Sequence, residues 1–240
     1  MAHAASLSVP ESQSKLLLKV ANKRLFPRLT DPSFLMLRSR RRTFEKWIDQ
    51  LDKNLAILDV GGRYQPYRPL FSGKARRYLA CDILQTELVD VIGHGELLPF
   101  AANTFDVVVA TQVFEYFPNP HNAARQMHAA LKPSGCLMMS VAATAPRFVD
   151  DECWRFTPKG IRETLSSFSS VVIVPELSSI GGVLRTLNLA VSAFSRNKLL
   201  RALVSVTVCP LLNLIGAGLE ALHITNNDQF TPNYSVLAIK

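Results

Sequence analysis

The chain has 240 residues, 48% of them hydrophobic, enough to bury one substantial core, so a single α/β domain with extensions is expected. Its four cysteines, Cys81, Cys136, Cys153 and Cys209, form no Cys-x-x-Cys pair, which argues against a disulfide framework or a metal site and reads as reduced thiols of a cytosolic protein. The formal charge of +8 gathers in the first fifth, where Lys15, Lys19, Lys23, Arg24, Arg28, Arg38, Arg40, Arg41, Arg42 and Lys46 face few acids. Such a face could meet anionic lipid or nucleic acid, or simply be a solvated helix surface. Nucleic acid is the weaker choice, because no interleaved aromatics or known nucleic-acid module accompany the charge.

In chain order, residues 1–33 read as a basic, poorly ordered tail without a secretory signal. Phe34, Leu35, Leu37, Phe44, Trp47, Ile48 and Leu51 recur at helical spacing over 33–51, behind Asp31-Pro32 as a cap. Ala56 to Val60 is an apolar run carrying Asp59 and closing on Gly61-Gly62, the pattern of a doubly covered parallel strand feeding a tight turn. Glycines there would let the backbone approach a ligand. Pro66 to Phe71 is too proline-broken for a long helix. Further strands are expected at Tyr78–Cys81, Leu88–Ile92, Phe105–Ala110, Cys136–Val141, Ser170–Val174 and Tyr234–Ile239. A helix starts at Asn119-Pro120, with Ala123, Met127, Ala130 and Leu131 on one face, and stops at Pro133-Ser-Gly135. Another follows Thr157-Pro158 over Lys159–Phe168. Strand, helix, strand spacing implies parallel crossovers.

Asp82 ends the second strand, some twenty residues beyond the glycine turn, an offset that suits hydrogen bonds to ribose hydroxyls. Arg63 and Gln65 stand where a dinucleotide fingerprint needs glycines, so a dehydrogenase is disfavoured. Asp59-Val-Gly-Gly, Asp82, Leu98-Pro-Phe100, Phe105-Asp-Val-Val-Val-Ala110, Glu115-Tyr-Phe-Pro118 and Leu131-Lys-Pro-Ser-Gly135 together resemble, in order and spacing, the class I S-adenosylmethionine-dependent methyltransferases of the small-molecule, type 11-like group. The resemblance spans roughly Ala56 to Val141. It implies a Rossmann-like α/β fold of seven strands, mostly parallel, with helices on both faces and the last strand antiparallel.

The resemblance also implies S-adenosylmethionine as cofactor. Asp59, Gly61 and Gly62 would lie at its methionine and ribose part, Asp82 at the ribose hydroxyls, Ile83 against adenine, and His94 and Leu97 beside them. Three positions depart from the family pattern: Arg63 replaces a further glycine, His94 an acid that reaches adenine, and Tyr116 a histidine. Thr111 and Gln112 follow the fourth strand at the carboxyl edge of the sheet, where open α/β folds bind ligands, and are expected to contact the cofactor and to see the substrate as well. Glu115, Tyr116 and His121 are candidates for polarising the acceptor, with helix capping and packing as the alternative. Trp154-Arg-Phe-Thr157 resembles an element of methyltransferases of bacterial cell-surface glycan pathways. That makes Trp154 and Arg155 candidate substrate residues, unless they are a core anchor and a salt-bridge partner.

The apolar segment Val183–Phe194 and the uncharged run Ala202–Leu219 lie outside these motifs, in an apolar helical insertion over 181–225 of a domain spanning 34–240. Their length approaches that of a membrane span. Pro210 and Asn213 in the middle, and the need for the last strand to rejoin the sheet, favour helices that cap the substrate side or lie on a membrane surface. The reading is a cytoplasmic methyltransferase, membrane-associated if these helices meet lipid. It acts on an oxygen or nitrogen of a small-molecule, glycan or lipid-linked acceptor, and its oligomeric state is open. The rival is a non-catalytic methyltransferase-like module that binds a membrane or a protein partner.

Overall fold

The structure is a computed structural model that describes residues 11–193, 197–222 and 227–240. Seven strands, β1 (Leu55–Val60), β2 (Ala75–Asp82), β3 (Val91–Ile92), β4 (Phe105–Thr111), β5 (Leu131–Ala142), β6 (Ser170–Pro175) and β7 (Asn233–Ile239), form one sheet in the order β3-β2-β1-β4-β5-β7-β6. Strands β1 to β5 pair in parallel, and β7 is antiparallel to both its neighbours. Seven strands, mostly parallel with the last one antiparallel, are what the family resemblance implied. All six residues of β1 are buried, as expected of a strand covered on both faces.

Strand alternation divides the core. Leu58 and Val60 join Val108 and Ala110 under α3 (Pro120–Ala130) and α4 (Pro158–Thr164), which contribute Ala123, Met127 and Ile161. Ile57 faces the other way, with Val107, Val109 and Met138, and is covered by Leu25 of α1 (Glu11–Leu25) and by Phe44 and Ile48 of α2 (Phe34–Asp49). Asp59 shares parity with Ile57, and its carboxylate accepts from the Tyr78 hydroxyl at 2.7 Å.

Four local expectations are revised. Residues 1–10 of the expected tail lie outside the described residues. From Glu11 the chain is helical, with Ala21 and Leu25 buried and the Arg41 guanidinium over Phe26, so part of the basic character ties α1 to α2. The third strand shrinks to Val91–Ile92, because the Leu88 carbonyl accepts from Gln65 Nε2 and Asp90 turns its carboxylate onto Ala80 N. Helix α3 stops at Ala130: Leu131 is already extended and pairs with Phe105, so Pro133-Ser-Gly135 lies inside β5. Helix α4 ends at Thr164, short of Phe168.

Between β6 and β7 the chain forms a hairpin of α5 (Ser179–Ala193) and α6 (Lys198–Ala221). Asn213 of α6 donates to the carbonyls of Leu29 and Asp31 and accepts from Asn188 of α5. Glu220 accepts from the Ser178 backbone and hydroxyl, closing the hairpin base. Beside it, Arg40 of α2 grips Glu176, Nε to Oε1 at 2.7 Å and Nη2 to Oε2 at 2.8 Å, with both side chains buried. Arg40→Met should therefore cost about 3–5 kcal/mol in urea unfolding, since Glu176 would be left buried and uncompensated; adding Glu176→Leu should recover most of the loss.

Candidate active site

At the carboxyl edge of the sheet, the turn after β1 is built for tight packing. Gly61 has φ +74°, and a Cβ there would stand 2.7 Å from Val113 Cγ2; one on Gly62 would stand 2.7 Å from the Asp59 carbonyl oxygen. What these glycines admit on their Cβ side is the protein itself. Gln65 takes the next left-handed position at φ +48°, held by its side chain, which donates to the Leu88 carbonyl and accepts from Arg68 Nη1 at 2.8 Å.

Asp82 is buried at the end of β2, where Oδ1 accepts from Leu84 N at 2.9 Å and Oδ2 from Arg63 N at 3.3 Å, joining the strand end to the turn. Next to it Ile83 is 62% exposed, and Leu97 is 75% exposed. His94, also exposed, accepts from Glu96 N on Nδ1 at 3.3 Å and meets the Phe117 ring edge-on. Arg63 is half-buried with its guanidinium over the Tyr64 ring, and Arg24 of α1 lies over the same ring.

Thr111 closes β4 and pairs with Ser140, and Gln112 follows with φ +53°. Gln112 Nε2 donates to Glu115 Oε1 at 3.3 Å. Asn233, turned so that its amide satisfies both neighbours, accepts from Gln112 Nε2 at 2.8 Å and from Arg40 Nη2 at 3.1 Å. Glu115 is buried, and its Oε1 also accepts from Ala142 N. Among the described residues its buried Oε2 has no hydrogen-bond partner. Burial pushes the Glu115 carboxyl up to about 7, against the pull of backbone hydrogen bonds and of Arg40. Burial likewise raises Asp59 to about 7, opposed by the Tyr78 hydrogen bond and reinforced by Asp82.

Glu115 also anchors the next loop, its carbonyl accepting from Cys153 N and Trp154 N. Trp154 Nε1 donates to the Phe117 carbonyl at 2.8 Å. Arg155 spends its guanidinium on the carbonyls of Ala145, Pro146 and Trp154 and on Glu152, so it clamps its own loop, the salt-bridge role weighed beside the substrate role. Trp154, Arg155 and His121 line a cleft of about 470 Å³ between the starts of α3 and α4. Tyr116 is 40% exposed, and burial is the main cause that raises its phenol, which Arg63 and Arg24 partly offset.

The strand-end motifs thus bring Asp59, Gly61, Gly62, Asp82, Thr111, Gln112 and Glu115 to one edge of the sheet, while His121, Trp154 and Arg155 stand on the neighbouring cleft. Motif reading missed Arg24, Tyr78, Arg185 and Asn233. Arg185 had a readable signal as a charge set inside the apolar segment 183–194.

The two raised carboxyls make stability depend on pH. From their ordinary values of 3.8 and 4.5 up to about 7, the folded state keeps protons that the unfolded chain has released, so stability falls as pH rises through that window. Urea unfolding across it should show the decline, and Asp59→Asn and Glu115→Gln should each flatten it, by at most roughly 3–4 kcal/mol at the alkaline end.

Residues 34–168 match the model of a methyltransferase domain family, more than half of the chain. No curated protein matches the sequence. Among solved structures, a SAM-dependent methyltransferase from Archaeoglobus fulgidus superposes with a TM-score of 0.56 at 13% identity, over 92% of this chain and 99% of its own. Haemonchus contortus phosphoethanolamine N-methyltransferase 2, solved with phosphomonomethylethanolamine and S-adenosylhomocysteine, gives 0.56 at 11% identity, over 95% of this chain and 57% of its own. The [4+2]-cyclase SpnF gives 0.51 at 16% identity, over 83% of this chain and 82% of its own. Identities this low speak for the fold alone, and a cyclase among them shows why fold by itself does not name the reaction. By the family match, the chain belongs to the methyltransferase domain family.

Proposed function

We propose that this methyltransferase transfers a methyl group from S-adenosylmethionine to an oxygen or nitrogen of a small-molecule, glycan or lipid-linked acceptor. The observation that carries the reading is the group at the ends of β1 and β2: buried Asp82 joined to the turn at Arg63, with exposed Ile83 next in the chain and exposed Leu97 in the loop that Gly93 N ties to the Asp82 carbonyl. A carboxylate whose oxygens each accept one backbone N–H still has lone pairs for two hydroxyls, and the exposed aliphatic side chains suit a flat aromatic base. These residues fit an adenosyl group.

When bound, the cofactor supplies an electrophilic methyl carbon on a sulfonium, open to in-line displacement. Asp82 would hold the ribose, Ile83 and Leu97 the adenine with His94 at its edge, and Arg63 the methionine carboxylate. Gly61, Gly62 and the Tyr78-bound Asp59 fix the turn that carries them. Thr111 and Gln112 would orient the acceptor from the end of β4. Glu115, with Oε2 unpartnered and its carboxyl near 7, is suited to take the acceptor's proton at neutral pH, and Tyr116 and His121 are further polarising candidates. Trp154 would supply an apolar wall to an acceptor in the adjoining cleft, with Arg155 stiffening the loop beneath it.

Calorimetric titration tests the assignment. Asp82→Ala should weaken S-adenosylmethionine binding by about 1–3 kcal/mol, the range for losing the partner of buried hydroxyls. A flat trace with the wild type up to millimolar cofactor would favour the non-catalytic reading instead. Labelled cofactor with a cell extract would then identify the acceptor.

A peripheral membrane contact is the second part of this reading. Along α6, Leu199, Leu203, Val206, Leu211 and Leu214, and Leu222 just after it, are between 57% and 81% exposed. The helix is long and apolar enough to cross a membrane, but Asn213 and Glu220 tie it to the domain and β7 returns into the sheet behind it. Exposed Arg201 at its start and exposed Lys15, Lys19 and Lys23 on α1 favour an anionic bilayer as the occupant; Arg196 lies outside the described residues. The protein should sediment with phosphatidylglycerol vesicles, less so at high salt. Leu203→Glu with Leu214→Glu should abolish this, and a protein left in the supernatant by such vesicles at low salt would refute the contact.

A further inference from the structure

Arg185 of α5 is 5% exposed, and among the described residues its buried Nε and Nη1 make no hydrogen bond. The charges it senses are Arg40, Glu176 and Asp31, and Glu176 is already committed to both nitrogens of Arg40 and to the Ser235 hydroxyl. One turn along α5, buried Asn188 also leaves its Oδ1 unpartnered. A desolvated guanidinium that makes no ion pair, with Asp31 and Glu176 attracting it only from a distance, is unfavourable, and its flat fork matches two oxygens of a carboxylate or phosphate.

The setting connects this cation to the candidate active site. Arg40 reaches Asn233, which in turn binds Gln112 beside Glu115. On the side of the glycine turn, Arg24 and Arg63 lie 4.8 and 4.9 Å from the centroid of one ring, Tyr64, so two more guanidinium groups converge there. Burial lowers the Arg24 guanidinium, and it lowers Arg185 to about 10 with repulsion from Arg40 adding to the effect. Guanidinium groups from α1, the β1 turn, α2 and α5 thus gather along one side of the carboxyl edge.

We propose that Arg185 is a docking point for an anionic group, phosphate or carboxylate, on the methyl acceptor. This deepens the acceptor assignment and rests on the methyl-transfer reading. The Arg185 guanidinium, without an ion pair among the described residues, selects an acidic substrate over a neutral one, and through it the α5–α6 hairpin contributes specificity as well as cover. Arg63 is reserved in this scheme for the cofactor's carboxylate, which leaves Arg185 for the acceptor.

The test is thermal unfolding of the full chain in inorganic phosphate or in acetate, each against chloride at matched ionic strength, with cofactor binding measured in parallel. The wild type should show a saturable rise in Tm with at least one of the two anions, and the larger response names the group. In Arg185→Met the apparent anion affinity should fall at least tenfold, Tm in chloride should hold or rise because an uncompensated buried charge is gone, and S-adenosylmethionine affinity should be unchanged. No anion response in a wild type that binds S-adenosylmethionine overturns this inference alone. An anion response retained by Arg185→Met, or a fall of its Tm in chloride, makes Arg185 structural and overturns it equally. A wild type that binds no S-adenosylmethionine overturns the methyl-transfer reading and the acceptor role together.

Discussion

The buried pair of Arg40 and Glu176 is the constraint on which the upper half of the molecule depends. Removing two charges from water is compensated only when their geometry is nearly ideal and their remaining valences are met. Here the guanidinium binds both carboxylate oxygens and the Ser235 hydroxyl adds a third bond. The pair fixes α2 over the ends of β6 and β7, and so fixes where the α5–α6 hairpin leaves the sheet. Through Asn233 it also sets the side-chain position of Gln112, at the end of β4. An ion pair far from the glycine turn in sequence therefore determines the shape of the candidate acceptor side.

The turn after β1 solves a related problem with unusual residues. A chain leaving a central parallel strand at this edge must turn sharply, and left-handed backbone is the usual means. Gly61 supplies one such position at no steric cost, but Gln65 supplies the other through side-chain hydrogen bonds to Leu88 and Arg68. The Leu88 carbonyl is consumed in this way, and the third strand is correspondingly short. A left-handed glutamine in one loop and a shortened strand in the next are two sides of one set of hydrogen bonds.

This coupling explains what could be read from the sequence. Strand positions and the parallel crossovers were legible because apolar runs such as Ala56–Val60 and Phe105–Ala110 alternate with helical spacing, whereas the antiparallel last strand followed only from the family resemblance. Asp82 was placed at a strand end because an acid closing an apolar run is a local signal. The Arg40–Glu176 pair was not legible, since 136 residues separate its partners and either alone looks like an ordinary surface charge. The basic character of the N-terminal region misled for the same reason. Arg24 and Arg40 look like their neighbours in composition, yet one is half-buried beside Tyr64 and the other fully buried. The true end of α3 was also hidden, because Leu131 satisfies a helical periodicity and a strand equally well until its pairing with Phe105 decides between them.

The α5–α6 hairpin shows how one apolar segment can meet two demands. Composition alone made it a borderline membrane span, but the polar residues within it are not scattered at random. Asn188 and Asn213 are buried, and the large side chains Leu203, Val206, Leu211 and Leu214 are exposed. That inverts the ordinary arrangement of a soluble helix, in which apolar side chains face the core. Asn213 holds the linker between α1 and α2 through two backbone carbonyls, and those groups would otherwise be left unsatisfied under the hairpin. The inward face combines Asn213, which docks on irregular backbone, with the small Cys209, Gly216 and Ala217, and the large aliphatic side chains are left to the outward face. A helix so fixed can present its aliphatic side to lipid without leaving the domain, and Arg185 on the neighbouring helix lies on the inner side of that same cover.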